Sequence, residues 1–258
     1  MNGVKQCLRQ VRFTNIAFWR NPASAFFTFA FPLMFLVIFT ALLGSGTITV
    51  NGLEFNQSTY YVVSMASFAV ITACYTNIAI SVSFQRDSGI LKRTRGTPLP
   101  SWSYLGARVL HAMIIAFVLV IICAVFGKVA YGADVPTGIA LIRSIVVVFV
   151  ASMSFAALGL ALTAVIPNAD ASPAIVNASI LPLLFLSGIF IAISDSSPKW
   201  VRTVSAIFPV RHFAQAFLGS YYGAPFFSFR WKDVIVVAVW GIVGLIVAAR
   251  FFSWEPRK

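Results

Sequence analysis

The stretch "SVSFQRDSGILKRTRGTPLPSW", residues 81–102, decides how this chain is read. Nearly unbroken apolar runs flank it, each long enough to cross a hydrocarbon core of about 30 Å. Between them sit Arg86, Asp87, Lys92, Arg93 and Arg95, closed by Thr97-Pro98. Charges at that density belong in water, so the stretch reads as a loop joining two crossings. Gly89 and the Gly96-Thr97-Pro98 group bracket one or two helical turns, "ILKRTR", and the prolines Pro98 and Pro100 force extended chain afterwards.

Outward from the loop, composition agrees. Of 258 residues, 59% are hydrophobic and 10% charged, whereas a soluble domain is about half apolar and a quarter charged. This is an integral membrane protein by composition. The formal net charge is +12, but the basic residues gather in the breaks between apolar runs. That placement points to anionic headgroups and membrane orientation, not nucleic acid.

The apolar runs predict six spans, at 24–43, 59–82, 107–126, 143–165, 173–193 and 233–252. Six crossings put both termini on one side. Lys5, Arg9, Arg12, Arg20, Arg86, Lys92, Arg93, Arg95, Arg108, Arg250, Arg257 and Lys258 fall on that side, and only seven basic residues on the other. The termini are therefore expected in the cytoplasm and the chain in the cell membrane. Ahead of the first span, Val4, Leu8, Val11 and Phe18 share one helical face and Lys5, Arg9, Arg12 and Arg20 another, the pattern of a helix lying flat among inner headgroups. A cleaved signal peptide fits poorly, because its basic and apolar regions would both be too long.

Between the last two spans, Ser197-Pro198 reads as a helix start, and Pro209 divides the following apolar run into two pieces too short to cross. The expectation is a re-entrant outer hairpin marked by Pro198, Trp200, Pro209 and Tyr221, an interfacial loop being the alternative. The expected fold is thus all-α and a single transmembrane domain, residues 1–258. Residues 1–23 carry the interfacial helix and 24–194 hold spans one to five with the charged loop at 83–106. Residues 195–231 are the outer segment, and 232–258 are span six with a cytoplasmic tail.

Several chemistries lack their residues. There is no G-x-x-x-x-G-K-[ST], so ATP would have to bind elsewhere. Glu54, Asp87, Asp134, Asp170, Asp195, Asp233 and Glu255 all fall at span ends or in breaks, which weighs against a proton-coupled carrier. Cys7, Cys74 and Cys123 show no metal or disulfide spacing, and His111 and His212 have no carboxylate near them in sequence. Ser64, Ser67, Cys74 and Asn77 in the second span, and Ser152, Gly159 and Thr163 in the fourth, form faces of small or polar residues. Such faces either pack helices closely or line a substrate path, and packing is the favoured reading.

The segment "RDSGILKRTRGTPLP" resembles the cytoplasmic-loop signature of ABC-2 type export permeases, in which Arg-acid-x-Gly precedes a coupling helix ending in Thr-Pro. Arg86, Asp87, Gly89, Leu91, Thr97 and Pro98 match it, while Gln85 stands where an acid is frequent and Thr94 where an apolar residue is usual. "LSGIF" at 186–190 and the tail "RFFSWEPRK" are similar to the daunorubicin-resistance-like branch of that family. The resemblance implies a non-catalytic transmembrane subunit working as a dimer, with itself or a close relative. Each copy would sit on an ABC ATP-binding subunit that holds ATP and Mg. The coupling helix, with Lys92 and Arg93, would dock there, and the cargo would be drug-like or lipid-like. A passive channel or secondary carrier without an ATPase partner is the alternative, and a membrane scaffold for an enzyme a third.

Overall fold

The computed structural model describes residues 3–43, 46–50, 53–191, 197–222 and 230–255. Asp195, the end of the basic tail and part of the outer segment lie outside these. The first helix, α1 (Gly3–Trp19), packs on α6. Val11 and Phe18 turn toward the protein, while Val4 and Leu8, expected on the same face, are exposed. Its exposed surface therefore mixes those two with Lys5, Arg9 and Arg12, which suits a headgroup layer.

The helix α2 (Pro22–Leu43) starts where the Asn21 side chain caps the Ser24 amide at 3.2 Å, with Pro22 as first helical residue. It leads to a small antiparallel pair, β1 (Thr47–Val50) and β2 (Leu53–Asn56), in a stretch expected to be plain loop. The β-branched run Thr47, Ile48, Thr49 and Val50 ahead of Asn51-Gly52 is a hairpin signal in the sequence. Asn56 then caps α3 (Gln57–Ile71) by accepting from the Ser58 amide.

The second crossing is a continuous 31-residue helix, Gln57–Asp87. Its midpoint is a π-helical turn, Thr72–Thr76, after which α4 (Asn77–Asp87) continues to the charged loop. It is the most enclosed helix, with α2, α6 and α7 around it. A short helix, α5 (Ile90–Arg95), follows, then α6 (Ser101–Tyr131) and α7 (Gly138–Leu162). The chain ends with α8 (Ser172–Phe185), α9 (Lys199–Ser205), α10 (Pro209–Tyr221) and α11 (Trp231–Phe251).

Among the described residues, five helices are long and apolar enough to cross a membrane: α2, α3–α4, α6, α7 and α11. They carry large exposed apolar side chains, such as Phe26, Ile121, Phe149, Ile242 and Leu245, that only a lipid surround would leave without cost. The expected fifth span is instead α8, 14 residues, about 21 Å long at 1.5 Å per residue. It ends at Phe185 with Leu186 as C-cap, and Gly188 at φ 89° keeps the helix from resuming. The Tyr60 hydroxyl donates to the Gly188 carbonyl, and Ile189 and Phe190 bury against Phe35, Phe39 and Phe68. Length and hydropathy alone cannot register such a break, because "LSGIF" is as apolar as a helix turn.

Lipid removes the hydrophobic drive between helices, so backbones must approach closely for dispersion to hold them. Gly241 and Gly244 of α11 meet α7 this way: a Cβ on Gly241 would lie 2.8 Å from the Ser154 Cα, and one on Gly244 2.9 Å from the Leu158 nitrogen. On the opposite face of α7, Gly159 lies against the π turn.

Candidate functional site

The charged loop is built from a helix end that cannot continue. After Asp87 the chain reaches Gly89 at φ 71°, a left-handed conformation that costs other L-residues about 1–2 kcal/mol. The Gly89 amide closes onto the Arg86 carbonyl at 3.1 Å, and α5 begins at once. No atom lies within 4 Å of a Cβ placed on Gly89. The glycine is therefore required by its backbone angle and not by crowding. Leu91, fully buried, pins α5 to the membrane domain, while Lys92, Arg93 and Arg95 are exposed. Among the described residues no carboxylate pairs with these three. Thr97 and Pro98 are exposed at the end of α5, where the Thr97 hydroxyl donates to the Thr94 carbonyl at 2.7 Å.

Arg86 does something else. Its side chain is 1% exposed, and its guanidinium donates to the carbonyls of Thr163 at 2.8 Å, Ile166 at 2.6 Å and Pro167 at 3.4 Å. Those carbonyls belong to the end of α7 and the turn into α8, where the helix dipole favours a cation. Asp87 sits 3.5 Å from the Arg86 Nε and accepts from the Ala169 amide. The pair thus joins the base of α5 to the α7–α8 turn. Sequence reading counted Arg86 in the coupling element; the structure turns its side chain inward, where carbonyls at that helix end need a donor.

The small-residue faces divide. Gly159 packs on the π turn, Ser67 bonds its own helix at the Val63 carbonyl (2.8 Å), and Thr163 ends α7 with its hydroxyl on the Leu160 carbonyl (2.6 Å). Ser152 and Cys74 are fully buried and Ser64 nearly so, in helix contacts. Ser64 lines a cavity of about 30 Å³ with Tyr60, Ser187 and Gly188, while Asn77 opens onto one that lies between α2, the second crossing and α8 and is also lined by Thr72, Thr76, Ser81 and Asn177.

After α8, the short helices α9 and α10 are separated just ahead of Pro209. Trp200 is exposed, but Tyr221 is buried with Phe213 and Phe217. The structure also shows a cluster that the sequence reading missed. His212 Nδ1 lies 2.5 Å from Asp233 Oδ1, and Nε2 lies 2.8 Å from the Ala206 carbonyl. Arg230 holds the other Asp233 oxygen, and Arg211 donates to the Arg202 carbonyl at 2.9 Å and the Ser205 hydroxyl at 2.7 Å. His212 and Asp233 are 21 residues apart, so no local motif announces them.

Both ring nitrogens of His212 face acceptors, which only the imidazolium satisfies. The Asp233 hydrogen bond raises the His212 pKa, against partial desolvation and Arg211. The contribution is present at pH below the imidazole's ordinary value and is lost as pH rises through the raised one. Thermal melting of the purified chain should therefore show a fall in stability on crossing to neutral and alkaline pH. His212→Gln should melt lower at acid pH and lack that step; an unchanged pH profile in the variant would refute the clamp.

The sequence model of the ABC-2 type transporter family matches residues 5–222. Among similar proteins, one from Cyanophora paradoxa named as the transport permease ycf38 is 24% identical over 229 residues, 84% of this chain and 78% of that protein. Another, from Escherichia coli K12 and named as the multidrug ABC transporter permease YbhR, is 24% identical over 135 residues, 52% of this chain and 36% of its own length. Members of this family are membrane transport subunits, generally non-catalytic, that work with an ABC ATP-binding partner. With its charged loop between apolar crossings and a match over most of its length, the chain belongs to the ABC-2 type transporter family.

Proposed function

We propose that this chain is the permease subunit of an ATP-driven exporter, moving a drug-like, lipid-like or other amphipathic cargo out of the cell. It crosses the cell membrane six times with both termini cytoplasmic, the fifth crossing being completed by the non-helical "LSGIF" segment. Two permease subunits, identical or closely related, sit on two ATP-binding subunits that hold ATP and Mg. The outer segment, with α9 and α10, lies in the outer leaflet beside the exit.

One observation carries this reading: the short basic helix α5 stands on the buried Arg86 and its half-buried neighbour Asp87, which grip the α7–α8 turn. A push on α5 is thereby passed to the second crossing directly and to the fourth through three carbonyls. The exposed Lys92, Arg93 and Arg95 suit an acidic groove on the partner, with Thr97 and Pro98 fixing where α6 departs. Exposed ion pairs contribute only about 0–1 kcal/mol each, so shape outweighs any one charge.

The test is Gly89→Val together with Pro98→Ala, co-expressed with an ABC ATP-binding subunit that supports export by the unaltered chain. Gly89→Val should insert normally, since its Cβ meets nothing, yet the strained φ should displace α5. Export and cargo stimulation of the ATPase should both fall by tenfold or more. Full export by both variants, with loss only when Lys92, Arg93 and Arg95 are neutralised together, would reduce the loop to an orientation signal.

A further inference from the structure

Two cavities on the cytoplasmic half of the domain join into one cleft. The first, about 230 Å³, lies among α1, α2, α4 and α6. The second, about 620 Å³, runs between α2 and the second crossing toward mid-membrane. They share Asn21, Ser24, Asn77, Ser81 and Gln85.

Their chemistry differs from end to end. Arg108 and His111 line the inner cavity. Arg108 has no carboxylate within salt-bridge reach among the described residues; it donates only to the Tyr104 hydroxyl, at 3.3 Å, and lies over that ring. His111 is 6% exposed. Arg108 Nε, His111 Nε2 and, in the outer cavity, Thr76 Oγ1 are buried with no protein partner. Orphaned polar atoms of this kind are costly unless something occupies the space beside them. The outer cavity is walled by Phe27, Phe31, Phe68, Ile80 and Phe84, several of them exposed to lipid.

From Phe68 to Gln85 the cleft follows one helix for about 25 Å at 1.5 Å per residue. That is close to one leaflet, half of the roughly 40–45 Å of a bilayer with its headgroups. A cation and neutral donors at the headgroup level, with aromatic walls toward the membrane centre, complement a single anionic amphiphile.

We propose that this cleft binds one anionic phospholipid of the inner leaflet. Its phosphodiester lies against Arg108 with His111 and the shared amides around it, and an acyl chain lies along Phe27, Phe31, Phe68 and Ile80. The leaflet follows from the orientation given under Proposed function; the site itself does not depend on transport. Arg108 holds the phosphate as a charge-assisted donor with a planar fork.

The test uses the purified chain alone, without ATPase, by native mass spectrometry in detergent with equimolar phosphatidylglycerol and phosphatidylcholine. One phosphatidylglycerol should be retained per chain, and Arg108→Gln should lower its retention at least fivefold. Lys128→Gln, an exposed cation outside the cleft, should leave retention unchanged. Ser24→Trp, at an exposed position on the junction of the cavities, should also displace the lipid, which keeps the test valid if Arg108→Gln folds poorly. Equal retention of both lipids, indifference to Arg108→Gln and Ser24→Trp, or displacement by millimolar inorganic phosphate or glycerophosphate would each overturn the proposal. Export and ATPase coupling play no part in the readout, so failure of the transport reading leaves this result standing.

Discussion

Arg86→Ala should destabilise the membrane domain by about 3–5 kcal/mol, the scale for removing one partner of a buried charged group. The carbonyls of Thr163, Ile166 and Pro167 lose their donor. Each buried orphan costs on the order of 1–3 kcal/mol, softened wherever water enters. Arg86→Lys should recover only part of the loss, since an ammonium cannot span three carbonyls with one planar fork. Melting of the purified protein should rank wild type above Lys and Lys above Ala. If Arg86→Ala melted like the wild type and lost only ATPase stimulation, Arg86 would be a docking residue after all. Asp87→Ala should do much less, because Asp87 is partly exposed and caps one amide.

The second large effect is expected at Gly159. A Cβ there would stand 2.7 Å from the Tyr75 carbonyl oxygen and 3.1 Å from the Tyr75 Cα. Both are backbone atoms, so no rotamer change relieves the contact. Gly159→Ala should cost about 1–3 kcal/mol as overpacking, and Gly159→Val more. Fluorescence-detected size exclusion should show Gly159→Val largely aggregated and Gly159→Ala monodisperse with a lowered melting temperature. Gly127→Ala is the comparison: its Cβ meets a Val62 methyl, the end of a side chain that can turn. A Gly159→Ala protein as stable as wild type would mean that α7 is free to shift against the π turn. π turns recur at functional sites, and one held by a backbone contact is a firm joint between the second and fourth crossings.

The apolar runs and the loop between them were legible because lipid imposes local rules. A crossing helix needs about twenty apolar residues, and charged side chains must lie outside them. So the crossings of α2, α3–α4, α6, α7 and α11, the position of α5 and the division of the outer segment at Pro209 all follow from reading along the chain. The motif at 86–98 carried the family in the same way, since its Gly and Pro set backbone angles wherever they stand.

What needed the tertiary structure were contacts between distant residues. Nothing near Arg86 announces carbonyls 77 to 81 positions away, nor does His212 announce Asp233. The Gly188 carbonyl accepts a hydrogen bond from Tyr60, 128 positions away. Hydropathy reports how much each residue prefers lipid, and that alone set the number and place of the apolar runs. Which buried polar group meets which carbonyl depends on helix packing, so only the folded chain could turn Arg86 inward and leave Arg108 facing a cavity.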